Sequence, residues 1–479
     1  MTTEQESFIN DYLKHLINGD AAIFAGAGLS VGAGYVDWKG LLKDIAKDIG
    51  LEIDKESDLI SLAQFHVNER GGRGRLNQKI IEEFTDKAEL SENHKMLARL
   101  PIRTFWTTNY DSLLEDSVSK ALKRVDVKHT PSQLANPLYK REVVVYKMHG
   151  DAKHPQQAIL TKDDYEQYHK KNEGFITTLS SDLISKTFLF IGFSFTDPNL
   201  DYVLSRVKLF LDNNSRPHYC IIKKPSPDDF KTDADFDYAT RRQSLMISDL
   251  RRFQIQAVLI DKYPEIDLML SQIEKRYKRN TIFISGSAAT YAPHSEQESL
   301  EFVHNLTMEL IKQKYSVVNG FGVGIGSAVI NGALEAIYSA PNKFNEEQLI
   351  MRPFPQKKSG TKELPELWHE YRTRMISFAG IAIFLFGNKK DPTTGEIKTA
   401  DGIQKEFDIA VSQGLILIPI GITGYITNDL WQLVQDNFKV YYGDFPNLNE
   451  AFKSLGDSTK PLKQHVKTIM EIIKVINEK

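Results

Sequence analysis

Four short polar segments in the first half of the chain each follow a run of apolar residues. A glycine-rich turn between a strand and a helix lets backbone N–H groups approach a pyrophosphate, and the helix dipole favours the negative charge. The other segments offer an amide, an imidazole and carboxylates, which donate or accept hydrogen bonds and transfer protons near neutral pH. The segments are Gly26-Ala27-Gly28-Leu29-Ser30, Thr107-Thr108-Asn109-Tyr110-Asp111, Met148-His149-Gly150-Asp151 and GFSFTDPN at 192–199.

Each of these segments also has a purely structural interpretation. The glycine run from Gly26 would serve as a tight turn, and Asp111 fits the cap of a helix. A single histidine such as His149 is more often structural than catalytic. The four segments together favour a site, because parallel strands meet at one edge of a sheet, where open α/β sheets bind ligands. We therefore expect a dinucleotide cleft in the first half of the chain.

The second half contains two further glycine-rich segments after strand-like runs. One holds Gly286 and Ser287, and the other, GFGVGIGS at 320–327, precedes a helical pattern. Such turns suit a phosphate-bearing ligand, although glycine runs of this kind are frequent false positives.

Charged residues lie near these turns. Leu367, Tyr371 and Met375 are spaced as a buried helical stripe that Arg372 borders, and Lys389 follows. On a further helix Val411 is expected to face inward, with Glu406 at the border of the buried stripe. Arginine and lysine suit phosphates, and glutamate accepts from ribose hydroxyls. Surface ion pairs are the alternative.

The elements that must position these residues alternate between short apolar strands and helical patterns, which predicts an α/β fold. We expect two Rossmann-like domains with mainly parallel sheets flanked by helices, covering 1–278 and 279–479. A charged segment, EKRYKRN at 274–280, precedes the first predicted strand of the second domain. The predicted strands are 21–25, 104–107, 143–147, 188–191, 218–222, 255–259, 281–285, 316–318, 349–352, 381–386 and 415–420.

Bulk properties exclude several classes of protein. With 60 basic and 63 acidic residues the net charge is −3, so no basic footprint indicates nucleic acid. Cys220, the single cysteine, excludes an intrachain disulfide and a paired-cysteine zinc site. No basic-then-apolar signal opens the chain, and no run approaches the ~20 apolar residues that span a bilayer. We expect a cytoplasmic protein that neither binds nucleic acid nor enters a membrane.

The motifs GAGLS, TTNYD, KMHGD and GFSFTDPN occur in the order and spacing of the NAD+-binding motifs of the sirtuin family. Over essentially its whole length, the chain resembles the sirtuin-like effectors of the bacterial anti-phage system Thoeris. The resemblance implies that Asn109 and His149 are the catalytic pair. It also implies an NAD+ site lined by Gly26, Gly28, Ser30, Asp111, Gly192, Ser194 and Asp197.

One departure from the sirtuin pattern narrows the expected reaction. Deacylating sirtuins carry a zinc module with four cysteines, which a chain with one cysteine cannot build. What remains is hydrolysis of the nicotinamide–ribose bond to ADP-ribose and nicotinamide, with NAD+ as substrate and no metal or cofactor. Asn109 would orient the carboxamide or the water, and His149 would bind a ribose hydroxyl and move a proton. A non-enzymatic NAD+ or ADP-ribose sensor and an NAD-dependent protein deacylase are the rivals.

The second half resembles the nucleotide-sensing SLOG domain in GSA, GFGVGIG, the RPFP strand end and GIQKEF. This resemblance implies an activating cyclic ADP-ribose isomer, made by a partner with a TIR domain, and an enzyme that depletes NAD+ in abortive infection. It further implies a homo-oligomer, most simply a tetramer. Which isomer binds and what Arg352 does stay open. The implied contacts are Arg372, Lys389 and Glu406, with Gly286, Ser287, Gly322, Gly324 and Gly326 around the phosphates.

Overall fold

The computed structural model describes residues 1–85, 88–211, 216–358 and 360–478. The chain forms two compact units, Met1–Glu274 and Lys275–Lys479. The boundary predicted after residue 278 lies at the last residue of the helix Pro264–Lys278.

A seven-stranded parallel sheet forms the centre of the first unit, in the order β3-β4-β2-β1-β5-β6-β7. Its inner strands are apolar and buried almost throughout, as expected where helices cover both faces of a parallel sheet. The strands are β1 Ala21–Ala25, β2 Thr104–Thr107, β3 Val125–Lys128, β4 Val143–Lys147, β5 Thr187–Ile191, β6 His218–Lys223 and β7 Ile255–Ile260. The helices are α1 Thr3–Asn18, α2 Ala27–Val31, α3 Trp38–Asp48, α4 Leu59–Arg70, α5 Gly74–Phe84, α6 Glu92–Arg99, α7 Leu113–Lys120, α8 Pro131–Leu134, α9 Lys162–Lys171, α10 Glu173–Ser185, α11 Pro198–Leu211, α12 Asp233–Leu250 and α13 Pro264–Lys278.

The strand order creates a switch point beside β1. The chain places β2, β4 and β3 on one side of β1, and β5, β6 and β7 on the other. All these strands are parallel, so the segments that follow β1, β2, β4 and β5 meet at one edge of the sheet. This is the crevice in which open α/β sheets bind ligands.

The six strands predicted for this half are found, with ends that differ by at most one residue. The prediction missed the edge strand β3, whose sequence VDVK has no apolar run. Its buried residues are the charged ones, Asp126 and Lys128, which pair with each other at 2.8 Å. The polar segment 223–242 includes the start of α12, on which Leu250 is the buried residue.

The second unit contains a five-stranded parallel sheet in the order β10-β9-β8-β11-β14 and a separate antiparallel hairpin, β12–β13. The strands are β8 Thr281–Ser287, β9 Ser316–Asn319, β10 Leu349–Met351, β11 Ile381–Phe386, β12 Asn388–Lys390, β13 Ile397–Thr399 and β14 Ile416–Pro419. The helices are α14 Glu296–Lys312, α15 Gly326–Ser339, α16 Leu364–Ile376, α17 Asp401–Ser412, α18 Tyr425–Asp436, α19 Phe438–Tyr441, α20 Asn449–Lys453 and α21 Gln464–Glu478.

The predicted α/β class with two mainly parallel sheets is therefore confirmed. Residues 390–398 form the turn and flanks of the hairpin, in which Asn388 pairs with Thr399 and Lys390 with Ile397. In the part of the chain that the structure describes, no helix has the length and apolar character needed to cross a membrane.

Helices α14 and α15 pack so closely that one contact excludes any side chain. A Cβ added to Gly332, in the middle of α15, would lie 2.2 Å from the carbonyl oxygen of His304 on α14. That atom belongs to a helix backbone, which cannot move without disturbing its own hydrogen bonds. Glycine is present here because two helix backbones touch, although it weakens α15 itself.

We predict that Gly332→Ala lowers the free energy of unfolding of the second unit by about 2 kcal/mol or more, because overpacking outweighs the ~1 kcal/mol of helix propensity that alanine adds. Calorimetry of the full chain measures the change. Asn331→Ala is the matched control, since Asn331 is the exposed neighbour on α15. Equal stability of the two variants would contradict the close contact.

Candidate functional site

The segments after β1 and β5 are joined through backbone groups. The amide of Gly26 donates to the carbonyl of Ile191 and that of Gly28 to the carbonyl of Gly192, each at 2.9 Å. Gly192 has a φ of +65°, and a Cβ there would lie 2.2 Å from the amide nitrogen of Leu29. These glycines allow two loops to touch at the switch point. Their contact with NAD+ stays a prediction.

Asn109 follows β2 and connects it to the segment after β1. Its Nδ2 donates to the carbonyl of Gly26 at 3.1 Å and to Oγ of Ser30 at 3.0 Å. Its own amide donates to Oγ1 of Thr107 at 2.9 Å, which fixes the start of the turn. The side chain is 9% exposed, and Oδ1 has no hydrogen-bond partner among the residues described. Asn109 therefore has its donors engaged and one buried acceptor free.

His149 follows β4 and is 1% exposed. The edges of its ring face Tyr165 and Tyr168, with centroids at 5.6 and 6.2 Å. Its Nε2 lies 3.2 Å from Oδ2 of Asp197, at an angle outside hydrogen-bonding range, so neither ring nitrogen is hydrogen-bonded within the described ranges. Burial lowers the pKa of His149 below 6.5, and the charges of Asp197 and Asp164 oppose this in part. The imidazole is therefore neutral at pH 7 and able to accept a proton.

Asp197 is held at both carboxylate oxygens. Oδ1 accepts from the amide of Leu200 at 2.9 Å, at the start of α11. Oδ2 accepts from the hydroxyl of Tyr165 at 3.1 Å and faces His149. Burial, followed by the charge of Asp197, raises the pKa of Tyr165 well above 10, so its hydroxyl is a donor. Tyr165 was missed by sequence analysis because it lies on α9, outside the four motifs.

Lys147 is the last residue of β4 and is fully buried. Its Nζ donates to the carbonyls of Tyr110 and Asp111 at 3.1 and 2.6 Å. It also pairs with Glu115 at 3.0 Å and Asp151 at 2.5 Å. Burial alone would lower the pKa of Lys147, but the two carboxylates raise it above its usual value. The ammonium group joins the segment after β2 to the segment after β4, and sequence analysis missed it inside an apolar strand.

Two other residues of the predicted NAD+ site differ in burial, since Asp111 is buried and Ser194 is exposed. Asp111 caps α7, since its Oδ1 accepts from the amide of Leu113 at 3.0 Å, while its buried Oδ2 is unpartnered among the described residues. Ser194 is exposed, and its Oγ lies 2.8 Å from Oγ1 of Thr196. The structure thus brings Gly26, Ser30 and Asn109 into direct contact and leaves Ser194 on the surface.

In the second unit, the glycine loop before α15 packs against the end of β8. A Cβ at Gly322 would lie 2.0 Å from the carbonyl of Gly286, and one at Gly324, whose φ is +81°, 2.0 Å from the carbonyl of Ala288. The amide of Gly326 donates to the carbonyl of Gly322 at 2.8 Å, which closes the loop at the helix start. Ser287 donates to the carbonyl of Asn388 at 2.9 Å. The close contact between this loop and the end of β8 explains why these positions are glycine. Contact between the loop and a phosphate stays a prediction.

Arg372 and Glu406 form an ion pair, with Nε 3.3 Å from Oε1. Glu406 is buried rather than at the border of its helix, and its Oε2 accepts from Oγ of Ser285 at 2.6 Å. Burial raises its pKa above the usual value, against the effects of Ser285 and Arg372. The guanidinium lies 4.8 Å from the ring centroid of Phe354. Lys389 pairs with Asp401 at the surface.

Two details of the predicted helix faces were wrong. Tyr371, expected in the buried stripe of α16, is 44% exposed, and Val411, expected to face inward on α17, is also exposed. The buried residues of α16 are Leu367, Met375 and Ile376, so its buried face skips Tyr371, and that of α17 ends at Ala410. Arg352 lies over the ring of Phe378 at 5.3 Å, which is a packing role compatible with ligand contact.

The model of the SIR2-like domain family matches residues 103–243. The model of the Sir2- and TIR-associating SLOG family matches residues 265–476. With the two parallel sheets and the asparagine–histidine pair at the first switch point, these matches define a protein with a SIR2-like unit followed by a SLOG unit.

Curated relatives match almost the full length of the chain. NAD(+) hydrolase ThsA of Bacillus cereus (strain MSX-D12) is 48% identical, covering 98% of each chain. The ThsA of Cytobacillus dafuensis is 45% identical, over 99% of this chain and 97% of the relative. The ThsA of Acinetobacter baumannii (strain 532279) is 43% identical, over 99% of each chain. The chain belongs to the ThsA family of NAD(+) hydrolases, which confirms the family resemblance found in the sequence.

We predict that Asp197→Asn moves the acid limb of the pH–rate profile of nicotinamide release to lower pH. The carboxylate raises the pKa of His149, so its loss leaves the imidazole neutral to lower pH. The plateau rate should fall about tenfold or more, because the protonated ring loses its counter-charge. The profile is measured at saturating NAD+.

Asp201→Asn is the control, since Asp201 is exposed one turn further along α11. An unmoved acid limb in Asp197→Asn, or an equal shift in the control, would show that Asp197 does not act through His149.

Proposed function

We propose that the first unit hydrolyses the bond between nicotinamide and ribose in NAD+. The pairing of a buried neutral His149 with the carboxylate of Asp197, at the same edge of the sheet as the free acceptor of Asn109, carries this proposal. Membership of a family named for NAD(+) hydrolysis supports it. The rival deacylase lacks support, because one cysteine cannot supply four zinc ligands.

In the proposed reaction, the electron pair of the glycosidic bond goes to the pyridine nitrogen, and nicotinamide leaves as a neutral molecule. The oxocarbenium-like ribosyl centre is captured by the oxygen of water, which loses a proton. NAD+ and water thus give ADP-ribose, nicotinamide and one proton. His149, neutral because it is buried, accepts that proton directly or through a ribose hydroxyl. Asp197 then stabilises the imidazolium from 3.2 Å.

Asn109 orients the reacting groups. Its Nδ2 is already engaged by Gly26 and Ser30, so the side chain cannot rotate without losing two hydrogen bonds. The buried Oδ1 therefore accepts from the carboxamide N–H of nicotinamide or from the attacking water. Holding a reactant in attacking geometry lowers the entropic part of the barrier.

We further propose that the SLOG unit binds a cyclic ADP-ribose isomer that switches the first unit on. Arg372, with its face on Phe354, presents a guanidinium to a phosphate, and buried Glu406 accepts from a ribose hydroxyl. Lys389 adds a second cation from the surface. The matching family is described as Sir2- and TIR-associating. This description supports a TIR-domain protein as the source of the signal. Control of this kind is a coupling free energy between two sites.

The biological role that follows is anti-phage defence in the cytoplasm by depletion of NAD+. An enzyme of this kind must be inactive until signalled, because its substrate is essential to the host cell. A homo-oligomer, most simply a tetramer, provides the assembly on which the signal acts.

We predict that Asn109→Ala and His149→Ala each reduce nicotinamide release from NAD+ by about a hundredfold or more, the range typical of general bases and of polar groups that act in the transition state. Chromatography of NAD+, nicotinamide and ADP-ribose, with and without cyclic ADP-ribose isomers, measures the loss. His169→Ala, an exposed histidine on α9, is the control and should retain full activity. No turnover by the wild-type chain under any nucleotide would favour a pure sensor, and turnover that requires an acyl-lysine peptide would favour a deacylase.

We predict that Arg372→Met raises the concentration of cyclic ADP-ribose isomer needed for half-maximal activation by about tenfold or more, because a charged hydrogen bond to phosphate is lost. Arg374→Met is the control, since Arg374 is exposed two residues away on α16. Titration of NAD+ hydrolysis with the isomer measures both. Equal curves for the two variants would remove Arg372 from the signal site.

A further inference from the structure

Two tyrosines of α9 form one wall of the space around His149. Tyr165 and Tyr168 are three residues apart, so they lie on the same face of the helix. Their side chains are 9% and 0% exposed. The ring centroid of His149 lies 5.6 Å from that of Tyr165 and 6.2 Å from that of Tyr168. Helix α9 therefore surrounds the proposed base together with the segments that carry the four sequence motifs.

Tyr168 acts on the backbone of the segment after β4. Its hydroxyl donates to the carbonyl of Met148 at 2.9 Å. The carbonyl of His149 accepts from the amide of Ile159 at 2.9 Å, and the carbonyl of Ile159 accepts from the hydroxyl of Tyr110 at 2.7 Å. These hydrogen bonds fix the backbone that carries the imidazole, and they do so without drawing on a carboxylate.

Tyr165 acts instead on the carboxylate beside the ring. Its hydroxyl donates to Oδ2 of Asp197 at 3.1 Å, and the same oxygen lies 3.2 Å from Nε2 of His149, outside hydrogen-bonding geometry. The other oxygen, Oδ1, accepts from the amide of Leu200 at 2.9 Å. Burial, followed by the charge of Asp197, raises the pKa of Tyr165, so the phenol stays a donor wherever an imidazole titrates. The tyrosine hydroxyl and the backbone amide therefore set the orientation of the carboxylate.

The position of Tyr165 is fixed at the start of α9. The carboxylate of Asp164, its neighbour, accepts from the amide and the hydroxyl of Thr161, each at 2.9 Å, which caps the helix. The same carboxylate pairs with Arg73 at 2.7 Å. The ring of Tyr165 also packs against that of Trp38, with centroids 6.3 Å apart. The hydroxyl is thus held in place by contacts other than its bond to Asp197.

Within the described part of the chain, the charges that act on His149 come from two elements. Burial lowers the pKa of the ring, and the carboxylates of Asp197, after β5, and Asp164, on α9, raise it. Because Asp164 is already paired with Arg73, Asp197 is the carboxylate whose pairing with the ring can change. A full hydrogen bond from the imidazolium to Asp197 would favour the protonated ring. A protonated ring cannot take a proton from water, so the proposed reaction gains when this pairing is limited.

We propose that Tyr165 is a positioning residue for the hydrolysis of NAD+. Its hydroxyl holds Oδ2 of Asp197 out of line with Nε2 of His149, which limits the pairing of the carboxylate with the imidazole and leaves the ring free to accept the proton of the attacking water. This role rests on the proposed function, in which His149 is the base. Tyr165 acts through Asp197 and transfers no proton itself, so the balance of the reaction is unchanged.

The test is the pH dependence of nicotinamide release from NAD+ by Tyr165→Phe. Without the hydroxyl, the carboxylate of Asp197 turns toward Nε2 of His149, which raises the pKa of the ring. Because the ring must be neutral to act, the rate is then lost at higher pH. The acid limb should move up by about one pH unit, the effect of one hydrogen bond to a charged group. This shift is opposite in sign to that of Asp197→Asn, and an unmoved limb or a shift to lower pH overturns the proposal.

Tyr168→Phe is the matched control. It removes a buried hydroxyl from the same face of α9, but that hydroxyl donates to a backbone carbonyl and not to Asp197. Its rate should change by the same factor at every pH, with the acid limb unmoved. The double variant Tyr165→Phe, Asp197→Asn should have the acid limb of Asp197→Asn alone, because the carboxylate through which the tyrosine acts is gone. Equal shifts in the two tyrosine variants, or additive shifts in the double variant, overturn the proposal.

A direct titration of His149 separates this proposal from the proposed function. In the full chain with isotope-labelled histidines and no NAD+, the imidazole signal that is missing from His149→Ala belongs to His149, and NMR spectroscopy gives its midpoint. The midpoint should be higher in Tyr165→Phe than in the wild-type chain. Tyr165→Met, which also lacks the hydroxyl and has a flexible side chain that fills the space, takes its place where Tyr165→Phe does not fold.

The two proposals fail separately in this experiment. An unchanged midpoint in a chain that hydrolyses NAD+ overturns the role of Tyr165 and leaves the reaction standing. A raised midpoint in a chain that releases no nicotinamide overturns the proposed reaction, and Tyr165 is then only the group that controls the protonation of His149.

Discussion

The ammonium group of Lys147 sits at the carboxyl edge of the first sheet with no access to water. A buried charge is tolerated only when counter-charges and hydrogen bonds replace its hydration. Here two carboxylates and two backbone carbonyls do so. The carbonyls belong to the segment that carries Asn109, Asp151 belongs to the segment that carries His149, and Glu115 lies on α7. Removing one partner of such a cluster costs about 3–5 kcal/mol. The positions of the two proposed catalytic residues therefore depend on a residue that touches neither.

Burial also sets the chemistry of the side chains around this cluster. Burial lowers the pKa of His149, so its imidazole is neutral and can act as a base. The carboxylate of Asp197 lies against the ring and stabilises the imidazolium that forms when the base is protonated. In the second unit a carboxyl group is buried beside polar partners in the same way, since Glu406 lies between a serine hydroxyl and a guanidinium. In the first unit Asn109 and His149 follow the ends of parallel strands, where the backbone leaves a crevice. In the second unit the serine is part of strand β8, and Glu406 and Arg372 reach it from helices.

Sequence reasoning succeeded where a local pattern has one physical meaning. Buried parallel strands are continuous apolar runs, so strands such as Ala21–Ala25 and Ile381–Phe386 could be placed to the residue. It failed where the outcome depended on distant neighbours. Tyr371 has the spacing of a core residue but faces solvent, and the edge strand Val125–Lys128 has no apolar run. Ser194 shares a motif with Asp197, yet only Asp197 turns toward His149.

By itself the sequence determined the fold class, the order of the glycine turns and polar motifs along the strands, and the exclusion of a four-cysteine zinc module, because these follow from periodicity and composition. It also carried the family resemblance. Only the tertiary structure decided that Lys147 links two loops and that Tyr165 fixes Asp197. Those contacts join residues far apart in the chain, and the energies of burial and charge pairing that they involve exist only once the sheet has brought them together.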